Sequence, residues 1–243
     1  MLRRASTLLL LAVLSTLPAA NAELAVGAFS EADPGAGLPL TWEPLAFQEI
    51  EPKTEYRLVA RDGQVVIRAV SDGGASGLVR RVNIDPTEYP ILEWRWWVSN
   101  TLEGGNARVK RGDDYPARLY IMFDYQGLGF FDRMRLRTLR LLGYDEIPTR
   151  ALNYIWASSV PRGQMLPSAY TDWVMMVPLR SGEQDAGQWV REIRNVVADY
   201  GAAFGGTPPR INGVAIMTDT DNTGGSATAY YGDIVFRRAT GER

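Results

Sequence analysis

The stretch MTDTDNTGGSATAYYGDIVF, residues 217–236, gathers carboxylate, amide and hydroxyl side chains that could do chemistry. Asp219 and Asp221 lie two positions apart, and Asn222 and Thr223 follow at once. These oxygens fit a calcium loop, a pair of catalytic carboxylates, the rim of a sugar site or a hairpin turn. No Glu completes an EF-hand downstream, so the calcium signal is weak and we assign no cofactor. We expect both carboxylates to shape the loop by side-chain-to-backbone hydrogen bonds.

The absence of two residue types restricts the chemistry of the whole chain. The sequence has no histidine and no cysteine. Ser-His-Asp and Cys-His catalytic sites, the usual zinc sites and two-His iron sites are therefore excluded. Any general acid or base in a catalytic site would have to be Asp, Glu, Tyr, Lys or Arg. The net charge of −2 argues against nucleic acid as the main partner.

Alternating segments predict β-strands with one polar and one apolar side. In ILEWRWWVSN the side chains of Leu92 and Trp94 point one way, and those of Glu93 and Arg95 point the other. ARLYIMFD and ATAYYGDIVFRR alternate in the same manner. If these strands share one antiparallel sheet, its polar side carries a mixture of aromatic, arginine and carboxylate side chains. The set is Glu93, Arg95, Trp97, Arg118, Tyr120, Tyr231 and Asp233.

This mixture predicts a binding site for a carbohydrate or a similar polar ligand. Aromatic rings stack on the apolar side of a sugar, while Arg and Asp bind its hydroxyls. Asp113 and Asp114 precede a strand in VKRGDDYPARLY and border the same face, as do Asp219 and Asp221. The alternatives are cross-strand pairs that only stabilise the sheet, and a solvated turn at Gly112.

The order of the elements favours a mainly β fold. Short strands separated by Gly, Pro and Asn turns predict a jelly-roll-like antiparallel β-sandwich that forms a single domain over residues 23–243. Two helices interrupt the strands. Residues 185–206 predict an amphipathic helix packed on the sandwich, with Asp185 as its cap. Residues 128–144 predict an inserted basic helix, either a surface insertion or a peripheral membrane contact through 130–142.

The amino terminus has the pattern of a secretory signal peptide. Arg3 and Arg4 precede an apolar run, and Ala20-Asn21-Ala22 forms a small-residue cleavage site. The run is too short for a usual membrane span, and a retained anchor is the alternative. We expect cleavage after Ala22 and a periplasmic or secreted protein. Loss of the leader leaves 24 basic and 28 acidic residues.

Several separated stretches resemble one family of exported bacterial proteins. LEWRWWV, KRGDDYPARLYIMFD, LNYIWAS, GQWVREIRNVVADYGAAFG and GVAIMTDTDNTGGSATAYYGDIVF are similar to domain-of-unknown-function family 3047. The last strand, AYYGDIVF, also resembles that of galactose-binding-type and lectin-like sandwiches. The family resemblance implies the fold and no established activity.

Three functions follow as hypotheses. The first is a non-catalytic protein that binds a carbohydrate or similar polar ligand on a concave sheet face. The second is a glycan-cleaving enzyme, a hydrolase using paired carboxylates or a lyase using Tyr and Arg. The third is an envelope scaffold that docks through the basic helix. Carboxylates held by an arginine or by backbone amides would favour binding; a free pair about 5 Å or about 6.5–9.5 Å apart would favour hydrolysis.

Overall fold

Two β-sheets packed face to face form the protein, as the sequence predicts. The structure is a computed structural model that describes residues 23–127, 129 and 149–239. The strands of the first sheet, sheet one, are β1 (Glu23–Gly27), β3 (Glu55–Arg61), β4 (Gln64–Asp72), β6 (Ile91–Val98), β11 (Val190–Asn195) and β13 (Ser226–Arg237). Their order in the sheet is β11-β6-β13-β4-β3, and β1 pairs with the second half of β13.

The second sheet, sheet two, has seven strands in the order β2-β5-β12-β7-β8-β10-β9. All neighbours are antiparallel except β8 and β10, which run parallel. Its strands are β2 (Glu43–Ala46), β5 (Ala75–Ile84), β7 (Tyr115–Phe123), β8 (Arg150–Ala157), β9 (Leu166–Pro167), β10 (Val174–Ser181) and β12 (Ile211–Asp219).

The main hydrophobic core lies between the two sheets and contains large aromatic side chains from both. Trp94 of β6 packs on Tyr154 of β8, with ring centroids 5.3 Å apart, and Trp96 packs on Trp156 at 6.0 Å. All four side chains are buried. The alternation predicted for β6 is confirmed, because its even-numbered residues enter this core while Glu93, Arg95 and Trp97 face outward.

The predicted packed helix exists, but it is shorter than expected. Helix α1 spans Val196–Phe204, and Asn195 caps it by accepting a hydrogen bond from the Ala198 N–H. Val196 and Tyr200 belong to the main core. The first half of the predicted helix, including its proposed cap Asp185, is wrong, since residues 190–195 form β11 and pair with β6.

Two predicted segments lie outside the described residues: the signal peptide, residues 1–22, and the basic helix, residues 128–144 apart from Gly129. Among the helices that the structure does describe, none is long and apolar enough to cross a membrane.

Candidate ligand-binding site

The predicted single binding face is wrong, because its residues belong to two different sheets. Glu93, Arg95, Trp97 and Asp233 lie on the outer face of sheet one. The remaining predicted residues, apart from Tyr231, lie at one end of sheet two, where β12 ends and β7 begins. They are Asp113, Asp114, Arg118, Tyr120, Asp219 and Asp221.

Tyr231 was predicted to point outward and instead lies between the sheets. Its hydroxyl donates to the Met217 carbonyl at 2.6 Å and lies 2.9 Å from Thr218 Oγ1. Burial raises its pKa, so it stays a neutral structural hydroxyl. The cause is a register shift between Tyr231 and Ile234, where β13 forms a bulge against β6. The bulge reverses the alternation, so Tyr230 faces outward in place of Tyr231.

The outer face of sheet one carries a stack of aromatic and arginine side chains. The rings of Trp97 and Tyr230 meet edge to face, with centroids 5.3 Å apart. The Arg61 guanidinium lies 4.1 Å from the Trp97 ring centroid and 3.8 Å from that of Tyr230. Arg95 lies 4.5 Å from the Trp189 ring centroid. These cation–π contacts favour a stacked orientation of the guanidinium groups on the sheet surface.

The sequence analysis did not predict three members of this stack, namely Arg61, Trp189 and Tyr230. Trp189 lies within the segment predicted to form an amphipathic helix, whereas its indole Nε1 donates to Asp62 Oδ2 at 2.8 Å across the sheet. The alternation in QWVREI was the signal that could have identified it, because Trp189 and Arg191 fall on the same side of a strand.

A pocket of roughly 320 Å³ opens beside this stack. It is lined by Glu23, Ser30, Gln64, Val65, Glu93, Trp94, Arg95, Arg191, Asp233, Val235 and Arg237. Arg95 lies across Gly232 at the bulge, where an added Cβ would come within 2.6 Å of Arg95 Cγ. The missing side chain at Gly232 therefore allows Arg95 to reach the Gln64 side-chain oxygen, to which it donates.

The carboxylates of the pocket already have partners. Glu93 accepts from Arg191 Nε at 2.7 Å and from Arg237 Nε at 3.2 Å. Asp233 accepts from the backbone N–H of Ser30 at 2.8 Å and from its hydroxyl. Glu23, the third carboxylate, also binds Arg237, so all three carboxylates help to arrange the wall of the pocket.

The end of sheet two contains a buried ionic group, the Arg118 cluster, made of Arg118, Asp113, Asp219, Tyr115 and Tyr120. Arg118 is only 4% exposed, contrary to its predicted place on a solvated face. Its guanidinium binds both Asp219 carboxylate oxygens, with Nε to Oδ1 at 2.6 Å, and also donates to the Asp113 carbonyl. Its Nη1 lies 3.4 Å from Asp113 Oδ2 and 3.2 Å from the Tyr120 hydroxyl.

Burial shapes the acid–base properties of this cluster. It raises the pKa of the Asp113 carboxyl even though Arg118 opposes the shift. Burial also raises the pKa of Tyr120, again against the effect of Arg118. Tyr120 is therefore protonated at neutral pH and is not available there as a base.

The loop after β12 is held mainly by Asp114, and not by Asp219 and Asp221 as predicted. Asp114 accepts from the Asn222 N–H at 3.2 Å, the Thr223 N–H at 2.6 Å and the Thr223 hydroxyl at 2.7 Å. Asp219 is engaged by Arg118 instead. Asp221 accepts from Asn222 Nδ2 at 3.1 Å. Partial burial, and then the charge of Asp114, raise the pKa of Asp221.

The oxygens of three carboxylates in this region lie close enough together to bind one cation. Oxygens of Asp114, Asp219 and Asp221 lie within 4.8 Å of one another. However, Arg118 neutralises Asp219, and backbone amides occupy Asp114. The geometry is that of a cross-linked loop, in which arginine and amide donors bind two of the three carboxylates.

The comparisons with known proteins agree with the family resemblance. A family model described as "Protein of unknown function (DUF3047)" matches residues 40–235. A search of curated proteins finds no match.

Two solved structures are distantly similar in fold. A variant of a family 29 carbohydrate-binding module is 10% identical, with a TM-score of 0.38, and the match covers 90% of this chain and 93% of that one. The β-1,2-glucanase from Parabacteroides distasonis is 13% identical, with a TM-score of 0.38, and the match covers 82% of this chain and 23% of the enzyme.

Proposed function

This chain belongs to the DUF3047 family, whose description names no activity, and we propose that it is an exported, non-catalytic protein that binds a carbohydrate or similar polar ligand. The ligand lies on the outer face of sheet one, over the aromatic–arginine stack and the adjacent pocket.

The single observation that carries this proposal is the aromatic–arginine stack beside the pocket. Trp97, Tyr230 and Trp189 are half-buried, so part of each ring remains accessible. Ligand sites combine apolar walls with a few placed polar groups, and this face offers both. A sugar ring can contact the aromatic edges with its apolar side while Arg95 and neighbouring polar groups bind its hydroxyls.

The partners of the carboxylates favour binding over hydrolysis. A glycosidase needs one carboxyl group free to give a proton and a second free to attack or to activate water. Arg118 binds Asp219, and Asp114 accepts two backbone amides and a hydroxyl. Tyr120 fits a lyase base poorly, because burial raises its pKa.

The proposals of export and of membrane contact depend on two sequence segments that lie outside the described residues. The A-x-A site before Glu23 supports export, and intact-mass measurement of periplasmic material should show a chain that begins at Glu23. Docking of the basic segment 130–142 on a membrane remains an alternative, which co-sedimentation with anionic vesicles tests.

A glycan array followed by calorimetry on the hits tests the proposed function. Trp97→Leu and Tyr230→Leu should each weaken binding by about fivefold to tenfold, because an aromatic contact is replaced by a smaller apolar one. The matched control is Tyr170→Leu, at a tyrosine that is 45% exposed and belongs to neither the stack nor the pocket.

Two results would contradict the proposal. Release of new reducing ends from a bound glycan would show an enzyme. Equal loss of binding in the control and in the two stack variants would place the ligand elsewhere.

A further inference from the structure

We infer that the ligand of this face is an acidic glycan whose sugar units carry carboxylates, that is, a uronate-containing chain. This inference rests on the proposed function and narrows it to one class of carbohydrate.

The first observation is that arginines stand directly opposite each other at two places on this face. Arg57 of β3 pairs with Arg68 of β4, and Arg95 of β6 pairs with Arg191 of β11. Like charges directly opposite across two strands destabilise a sheet. An anion bound between or beside them offsets that repulsion, so this face gains more from an acidic ligand than from a neutral one.

The second observation concerns the counter-charges. Arg57 pairs with Glu55, and Arg191 pairs with Glu93. In the part of the chain that the structure describes, no carboxylate lies within 4 Å of the guanidinium of Arg68 or Arg95. The Arg95 partner is the neutral Gln64 amide. Two guanidinium groups on this face therefore keep an uncompensated positive charge in a chain whose net charge is negative.

The third observation is that the face is extended. Arg57, Arg68, Tyr230 and Trp97 stand opposite one another in a row across four strands. With strands about 4.8 Å apart, the row spans roughly 14 Å. A chain of sugars along this row can place one ring over the aromatic pair and a carboxylate near Arg68.

The geometry of the arginines favours a carboxylate. Stacking on the Trp189 ring, 4.5 Å from its centroid, restricts the plane of the Arg95 guanidinium. A planar guanidinium matches a planar carboxylate through two parallel hydrogen bonds. Because stacking restricts this plane before binding, less side-chain entropy is lost when the ligand arrives.

Calorimetry with one sugar backbone in two charge states tests the inference. The probes are hexagalacturonate and its fully methyl-esterified form, titrated into the exported protein. We expect the ester to bind at least about tenfold more weakly, and added salt to weaken binding of the acid form.

Charge-removing variants locate the site. Arg68→Gln and Arg95→Gln should each weaken hexagalacturonate binding by about tenfold, since each removes a hydrogen bond to a charged group. Arg162→Gln, at an exposed arginine in the loop after β8, is the control and should bind like wild type. Thermal unfolding of every variant verifies that it is folded.

The outcomes separate the inference from the proposed function. If neutral glycans or the ester bind and hexagalacturonate does not, the inference is overturned and the proposed function stands. If no glycan of either kind binds, both the inference and the proposed function are wrong. Equal binding of sulfated dextran or single-stranded DNA would show that charge alone is recognised, and would also overturn the assignment to uronates.

Discussion

Replacing Arg118 with methionine removes the only guanidinium that the described structure places against the Asp219 and Asp113 carboxylates. All three side chains are almost completely buried. Breaking such a pair by removing one partner costs about 3–5 kcal/mol, because a buried charge is left without compensation. For a chain of this size each kcal/mol lowers the unfolding midpoint by about 2–4 °C, so we expect a loss of about 6–20 °C.

The dependence of this loss on pH tests its electrostatic origin. Burial raises the pKa of Asp113, and Arg118 opposes that shift. Without Arg118 the folded state binds protons at higher pH than the unfolded state, whose Asp groups titrate near about 3.9. Stability must then fall as the pH rises through that window. The deficit of Arg118→Met should therefore be larger at pH 8 than at pH 5.

Thermal and urea unfolding at these two pH values are the assays. Arg118→Met combined with Asp219→Asn should recover part of the loss, since the second change removes the orphaned charge. Arg210→Met breaks an exposed ion pair with Asp85 and should change the midpoint little. A loss below about 1 kcal/mol, or a deficit independent of pH, would refute the electrostatic account of the Arg118 cluster.

Asp221→Asn should slightly raise the unfolding midpoint at pH 7–8, because burial and Asp114 raise the pKa of Asp221 and its charged form opposes folding. The gain should fade towards pH 4, and it should be the same with calcium or with chelator; a calcium-dependent rise in wild type alone would instead reveal a metal site. Gly232→Ala should weaken hexagalacturonate binding by about tenfold, since the new Cβ displaces Arg95 from its position across the bulge. Unchanged binding by calorimetry would show that the position of Arg95 does not matter.

The sequence was sufficient for the fold class and for most strands, because alternation is a local property. The inward face of β6, with Leu92 and Trp94, follows the predicted alternation. Residues 185–195 show where local patterns fail. The spacing of Trp189 and Ile193 fits both one side of a helix and one side of a strand. Residues 190–195 form a strand because they pair with β6, which lies about 100 residues earlier in the chain.

The binding face was harder to predict because sheet membership is a long-range property. Trp97 and Arg118 alternate in the same way, yet their strands belong to different sheets. The bulge at Gly232 then reversed the side on which Tyr231 lies. A glycine inside a strand was the available signal, since it often marks a bulge. The contact between Arg118 and Asp219 joins residues 101 positions apart and had no local signature.

The order of strands in the two sheets has a consequence for how the chain folds. Strands β12 and β13 come last among the described strands, and each lies in the middle of a sheet, β12 between β5 and β7 and β13 between β6 and β4. The first strand, β1, also pairs with β13, and Glu23 and Arg237 lie 214 positions apart. A nascent chain therefore cannot complete sheet two before β12 is synthesised, or sheet one before β13 is synthesised, and folding that waits for such distant contacts is slow. For a protein that we propose is exported, this topology delays completion of both sheets until late in synthesis of the described chain.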